Sequence, residues 1–344
     1  MKKGSFFKPL TVISLSIALC LTITAASIPS VSAADYPKKA IALVIGSSPG
    51  GGFDLQGRLF AKYWPQFLPK KVPMIVKNVT GGGGIVAANR VWASSPDGYT
   101  IKQVKVGPYM ISEQLYPERC KFDMQKWVYI GRYTYDINAI MTRTEIAQKK
   151  IKSYQDLVNY AKDKPLAVAT GGVGGSMHNK ALVFAEASGI PMRFVHFPGA
   201  SQAIASMLRG ETDFAFISAS TAGRQDPKEI LSLFVFYDKK HKTTDFAPNA
   251  PEFGMPAEIL RKTVASPVFS GPRAWAVPPK TPENIVNVLR DSFLKVANSK
   301  EFNNAFDKAG HFLDIQKAED FEKELPEMIA DVKRFAPELK KQIK

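Results

Sequence analysis

An apolar run, Ile41-Ala42-Leu43-Val44-Ile45, leads into Ser47-Ser48-Pro49-Gly50-Gly51-Gly52-Phe53-Asp54, after which Leu55, Leu59 and Tyr63 recur at four-residue spacing. The run reads as a buried strand and the spacing as one face of a helix. Strand, glycine turn and helix in that order expose several backbone N–H groups at a helix start. Added to the positive end of the helix dipole, they make an anion site that needs no cationic side chain. A tight turn that binds nothing has the same local sequence, so the weight of the reading rests on whether the chain repeats the device.

It does. Val72–Val76 is a second apolar run, with Pro73 suited to a strand's start rather than its middle. It leads into Lys77-Asn78-Val79-Thr80-Gly81-Gly82-Gly83-Gly84 and a helix with Ile85, Ala88 and Trp92 on one side. Ser95-Pro96-Asp97-Gly98-Tyr99 is a turn, proline setting one φ and glycine taking a positive one, before a third strand at 100–106. A strand at 138–144 and a helix capped by Ser153 follow, and then the pattern restarts. Leu166–Thr170 is a buried strand, Gly171-Gly172-Val173-Gly174-Gly175-Ser176 a glycine loop capped by Ser176, and the next helix turns Ala181, Phe184 and Ala185 inward. Strands at 194–197, 214–217 and 231–236 and a helix at 201–209 continue the alternation. Residues 238–269 read as irregular with one short helix, and 274–277 as a last strand. Thr281 caps a helix with Pro282 at its first position, and helices at 301–309 and 319–335 end the chain.

Strands alternating with helices over short connections predict an α/β fold with mainly parallel sheets flanked by helices. The two halves share architecture rather than residue identity. Facing each other, they would hold a ligand in a cleft outside the carboxyl ends of the strands. A small dianion, such as a dicarboxylate, could bridge them and draw them together about a hinge.

The chain begins with Met1-Lys2-Lys3 and Lys8, an apolar run from Leu10 to Ala26, and then Val31-Ser32-Ala33. These features describe a secretory signal peptide over 1–33, cut after Ala33. Ser14, Ser16, Thr22 and Thr24 argue against an uncleaved anchor. Leu19 stands before Cys20 where a lipobox wants a small residue, so lipidation is set aside. After cleavage only Cys120 remains and no intramolecular disulfide forms, so an exported chain of about 310 residues must be held by its core. The formal charge is +15, and removing Lys2, Lys3 and Lys8 leaves +12. That balance favours anionic partners without identifying them.

Other chemistries fit poorly. Neither of the first two glycine loops has the lysine of a P-loop, and the G-x-G-x-x-G spacing of a dinucleotide site is absent. No zinc-finger spacing, RNP-like run or basic helix with interleaved aromatics points to nucleic acid. No cluster has metal-ligand spacing, and no cofactor is expected. Gly199-Ala200-Ser201-Gln202-Ala203 approaches a nucleophile elbow, with His196 or His178 to complete a triad, so a secreted serine hydrolase is the opposing class. Ser201→Ala separates the two, abolishing turnover in a hydrolase and leaving ligand binding intact otherwise.

Tyr36-Pro37-Lys38-Lys39-Ala40-Ile41, Pro49–Asp54, Asn78–Gly84 and Asp97-Gly98-Tyr99-Thr100 come in a characteristic order and spacing. Gly174-Gly175-Ser176-Met177-His178, Gly210-Glu211-Thr212-Asp213 and Ala276-Val277-Pro278-Pro279-Lys280-Thr281-Pro282 continue the series. Across essentially the whole mature chain this resembles the Bug (TctC-like) family, the extracytoplasmic solute-binding proteins of tripartite tricarboxylate transporters. The resemblance implies a monomeric, type II-like periplasmic binding protein of two lobes, 34–137 with 270–344 and 138–269, with the cleft between them. It implies capture of a small organic anion, a di- or tricarboxylate or aromatic carboxylate, and delivery to the membrane permease subunits. A ligand sensor feeding a two-component system would use the same fold.

Carried over by position, the resemblance places ligand-binding residues in three loops. They are Ser48, Pro49, Gly50, Gly51, Gly52, Phe53 and Asp54; Asn78, Thr80, Gly82 and Gly83; and Thr170, Gly175, Ser176 and His178, with Ser218 at the end of a later strand. Three positions depart from the family's pattern. His196-Phe197-Pro198-Gly199 stands where the family usually reads Pro-Tyr-Lys-Gly, so a common lysine is missing. Ser218 stands where some members have an aspartate able to meet an amino group, which disfavours an amino-acid ligand. Phe53 replaces a small or hydroxyl residue beside the first loop. Asp54 also suits a first-turn acid that complements the helix dipole, Asn78 a turn residue, and Phe53 and Trp275 packing.

Overall fold

The first apolar run is strand β1 (Ile41–Ile45), paired in parallel with β2 (Met74–Asn78) and β3 (Thr100–Lys105). The molecule is described by a computed structural model, in which the described residues are Met1, 36–135, 137–238, 243–266, 269 and 271–342. Residues 2–35, which hold most of the expected leader, Cys20 and the cleavage point at Ala33, lie outside them. Among the described residues no helix is long and apolar enough to cross a membrane.

Two mixed sheets carry the fold. The first adds β4 (Val128–Tyr135), β10 (Pro272–Val277) and the two-residue β11 (Gln316–Lys317), in the order β11-β4-β10-β3-β1-β2. The second contains β5 (Asn138–Arg143), β6 (Leu166–Thr170), β7 (Met192–His196), β8 (Phe214–Ser218) and β9 (Ile230–Val235), in the order β7-β6-β8-β5-β9. Apart from β11 the two correspond strand for strand: β2-β1-β3 and β7-β6-β8 are parallel, and β10 and β5 run antiparallel beside them. The sheets are therefore less parallel than the alternating pattern predicts. The cause is connectivity: the chain enters the second sheet between Tyr135 and Asn138 and returns at Pro272, so each sheet receives a strand running the other way.

Helix starts and faces differ in detail from the sequence reading. In the Gly52–Tyr63 helix the buried face is Phe53, Gln56, Gly57 and Phe60, with Leu55, Leu59 and Tyr63 only half-buried. Phe60 is fully buried against the rings of Trp64, Tyr133, Trp275, Phe293, Phe302 and Phe306, and Trp275 packs there as expected. Burying one such side chain contributes about 1.5–3 kcal/mol. Ser153 does cap its helix, accepting from the Asp156 N–H. Ser176 and Thr281 do not cap theirs: Gly175 and Pro282 occupy the caps, and the Thr281 hydroxyl donates to the Pro278 carbonyl. The helix expected at 319–335 is two, Ala318–Glu322 and Leu325–Gln342.

Strand β4 and the Val106–Leu115 helix were not legible, because Gly131 interrupts one and Gly107-Pro108 the other. That helix joins the sheets. Its Ser112 hydroxyl donates to the Gly174 carbonyl, and Asn179 Nδ2 donates to the Pro108 carbonyl. One apolar cluster runs from Val44 and Val104 in the first sheet to Val168 and Phe216 in the second. From Tyr36 onward the described residues accordingly form one compact unit.

Candidate functional site

A cavity of about 520 Å³ lies where the loops after β1, β2, β6 and β7 meet. Four helices start at its wall: Gly52–Tyr63, Ile85–Trp92, Ser176–Ser188 and Ala200–Leu208. Their caps are Gly51, Gly84, Gly175 and Gly199; all four line the cavity, and none makes a side-chain capping hydrogen bond. The positive ends of four helix dipoles thus converge on one space. Glycine is required in the second loop, where Gly81 to Gly84 all have positive φ. At Gly83 the need is doubled, since an added Cβ would overlap the Gly175 Cα from the opposite side of the cleft.

The charged side chains lining the cavity, among the described residues, are Lys105 and Arg273. Lys105 ends β3, and Arg273 faces it across the β10–β3 ladder. Between them lies Phe53, 5% exposed, with its ring centroid 4.5 Å from Lys105 Nζ and 5.2 Å from the Arg273 guanidinium. Phe53 is therefore both a packing residue and part of the wall. Behind it, Arg273 Nη1 donates to Gln56 Oε1 at 2.6 Å, which also accepts from the Tyr133 hydroxyl at 3.1 Å. Gln56 Nε2 lies 3.1 Å from His311 Nδ1, so its amide spans the two buried groups.

Ser48, Pro49, Gly51 and Gly52 line the cavity from the first loop, and Thr80, Gly82 and Gly83 from the second. Gly175, Ser176 and Ser218 line it from the second sheet's side, the Ser218 hydroxyl 2.9 Å from that of Thr221. Five expected residues do not line it: Gly50, which is exposed, and Asp54, Asn78, Thr170 and His178. Asp54, 1% exposed, accepts from the Gly50 N–H, Arg58 Nε and Asn78 Nδ2. Burial opposes its ionisation, but hydrogen bonds from Arg58, Asn78 and Gly50 outweigh that and hold the carboxyl below its usual range. Asn78 Nδ2 also donates to the Ser47 carbonyl, so Gly50, Asp54 and Asn78 tie the first two loops together rather than facing the cavity.

Thr170 and His178 are likewise buried. The Thr170 hydroxyl meets His196 Nδ1 at 2.9 Å, and His178 Nδ1 accepts from the Gly174 N–H at 3.1 Å, bracing the third loop from beneath. Burial, with His196 beside it, pushes His178 down to about 3. Burial lowers His196 too, against the pull of the Gly171 carbonyl. Ser201 and His196 both line the cavity, yet among the described residues no hydrogen bond joins Ser201 to a histidine.

The sequence reading missed Lys105, Arg273, Asn138 and the Gly199 helix start. Lys105 carried a usable signal, since ligands lie outside the carboxyl ends of parallel strands and Lys105 is such an end. Arg273 joins the site only through a pairing between residues 168 positions apart.

Two sheets linked by crossing strands, with a cleft walled by helix N-termini, define a two-lobed periplasmic binding protein. The model described as tripartite tricarboxylate transporter family receptor, TctC, matches residues 68–339, and the chain belongs to that family. It is a family of solute-binding receptors, not enzymes. Protein BugT of Bordetella pertussis is 25% identical over 324 residues, 88% of each chain. A TctC solute binding protein from Polaromonas is 24% identical, covering 88% of this chain and 99% of that one, with a TM-score of 0.62. MatC from Rhodopseudomonas palustris with bound malate has 18% identity, 88% and 100% coverage and a TM-score of 0.72. An R. palustris protein with adipate has 19% identity, 89% and 98% coverage and a TM-score of 0.74. At these identities the structures speak for the fold.

Proposed function

We propose that this receptor captures a small organic acid outside the cytoplasm and delivers it to the membrane permease subunits of a tripartite transporter. The observation that carries the reading is the convergence of four glycine-capped helix starts on a cavity whose described charged side chains, Lys105 and Arg273, are both cationic. Helix N-termini and fixed cations favour a carboxylate over a neutral or cationic ligand. The cavity falls within the size range of small-molecule sites. Bound malate and adipate in two proteins of the same fold support the ligand class. Export follows from the leader over 1–33, with cleavage after Ala33, which N-terminal sequencing of secreted protein checks.

A thermal-shift screen over di- and tricarboxylates, aromatic acids and amino acids tests the ligand class. Binding to the native state alone raises the melting temperature in step with ligand concentration over Kd. Organic acids are expected to stabilise and amino acids not to. Stabilisation by uncharged compounds alone contradicts the reading.

A further inference from the structure

Asn138 opens β5 where the chain passes into the second sheet, is 1% exposed, and lines the cavity. Lys180, buried on the Ser176–Ser188 helix, places Nζ 2.8 Å from Asn138 Oδ1. An ammonium donates and cannot accept, so the amide oxygen turns to the lysine and the NH2 turns away from it. Among the described residues nothing accepts from that Nδ2, although it is buried. Native structures rarely keep such a donor without an acceptor supplied from elsewhere. Ser47 Oγ, on the loop after β1, is a second buried atom of the cavity wall without a partner among the described residues, and it stands on the first sheet's side.

We propose that Asn138 is a specificity-determining residue, its Nδ2–H donating to a second acid group on the bound ligand. The glycine loops of the first sheet hold one carboxylate, and Asn138 meets the other end from the second sheet. The preferred ligand is then a diacid rather than a monoacid. Lys180 acts through the amide: it fixes which way Asn138 points and polarises it toward the anion. The inference rests on the organic-acid reading and narrows it.

The test titrates linear diacids from succinate to suberate, each beside the monoacid of equal length, into wild type, Asn138→Asp and Asn138→Ala by calorimetry. Asn138→Asp keeps an oxygen for Lys180, so its fold is retained, but it replaces the donor with an acceptor. Wild type is expected to prefer its best diacid over the matching monoacid by about tenfold or more. In both variants that preference is expected to vanish. A preference retained in the variants overturns the assignment, as expected if only a water meets the amide. A wild type that binds no diacid more tightly than its monoacid also overturns it. If tricarboxylates or aromatic acids still stabilise the protein, the organic-acid reading survives that failure.

Discussion

Arg273 and Lys105 stand opposite each other in the antiparallel register of β10 and β3, and both cations lie over the ring of Phe53. Like charges directly across a ladder repel. The arrangement is set by covalent position on two strands, and Arg273 is further held by Gln56, so neither charge is free to move far from the cavity. On the proposed reading, a bound carboxylate would offset part of that repulsion. The pair would then contribute to ligand capture.

Lys105→Gln should weaken the best organic acid by about 1–2 kcal/mol, roughly 5–30-fold, and reduce the dependence of affinity on salt. Calorimetric titrations at low and high ionic strength check both. Affinity and salt dependence equal to wild type would remove the lysine from the account.

Gly83→Ala should act on closure. The position has φ +66 and faces the Gly175 backbone across the cleft, so a methyl group there meets main chain, which cannot swing aside. The strained φ alone costs about 1–2 kcal/mol. The variant is expected to lose at least about tenfold in affinity and to show a larger radius of gyration by X-ray scattering with ligand present. Normal affinity and an unchanged radius would show that the two loops need not approach so closely.

Asp54→Asn should loosen the first two loops. Its carboxylate accepts from Gly50, Arg58 and Asn78, and the variant turns an amide toward donors, at a cost of about 1–3 kcal/mol near neutral pH. The folded carboxyl lies below its usual range. Its contribution is thus complete above the unfolded value of about 3.9 and lost as pH falls through the lower folded one. Urea unfolding should show the gap between variant and wild type closing in acid. A gap that persists there points to packing rather than charge.

His178 and His311 give a separate signature at milder acidity. Burial is the main cause that pushes both down to about 3, helped by His196 for the first and by Arg273 and Arg224 for the second. Unfolded, they titrate near 6.5. Between those values the unfolded chain holds protons that the native one does not, so stability falls as pH drops from about 6.5 toward 3. Each histidine contributes up to about 1.4 kcal/mol per pH unit in that window. His311→Gln, whose amide oxygen can still accept from Gln56, should flatten the slope of unfolding free energy against pH by about one proton. An unflattened slope contradicts a buried, neutral His311.

The strand–glycine–helix units were legible because each is local: β1, the Leu166–Thr170 strand and their loops are contiguous in sequence. The mixed sheets were not, because β10 reaches β3 and β4 from the far end of the chain. The same division runs through the site. Backbone donors at Gly51, Gly52 and Gly175 follow from the local pattern. Asp54, Asn78, Thr170 and His178 have side chains that suit a ligand equally well, and only the fold displays the hydrogen bonds by which they brace the loops. Asn138 and Arg273 matter through partners far away in sequence, Lys180 and Lys105, which no window of residues displays.

On the proposed reading the cavity is built for a carboxylate. The most direct test of that claim is calorimetric titration of the acid that stabilises the protein most, beside the neutral methyl ester of that acid. The acid is expected to bind, and every carboxylate masked as ester to weaken binding, by about a hundredfold or more for the full ester. An ester that binds as tightly as its acid would contradict the claim.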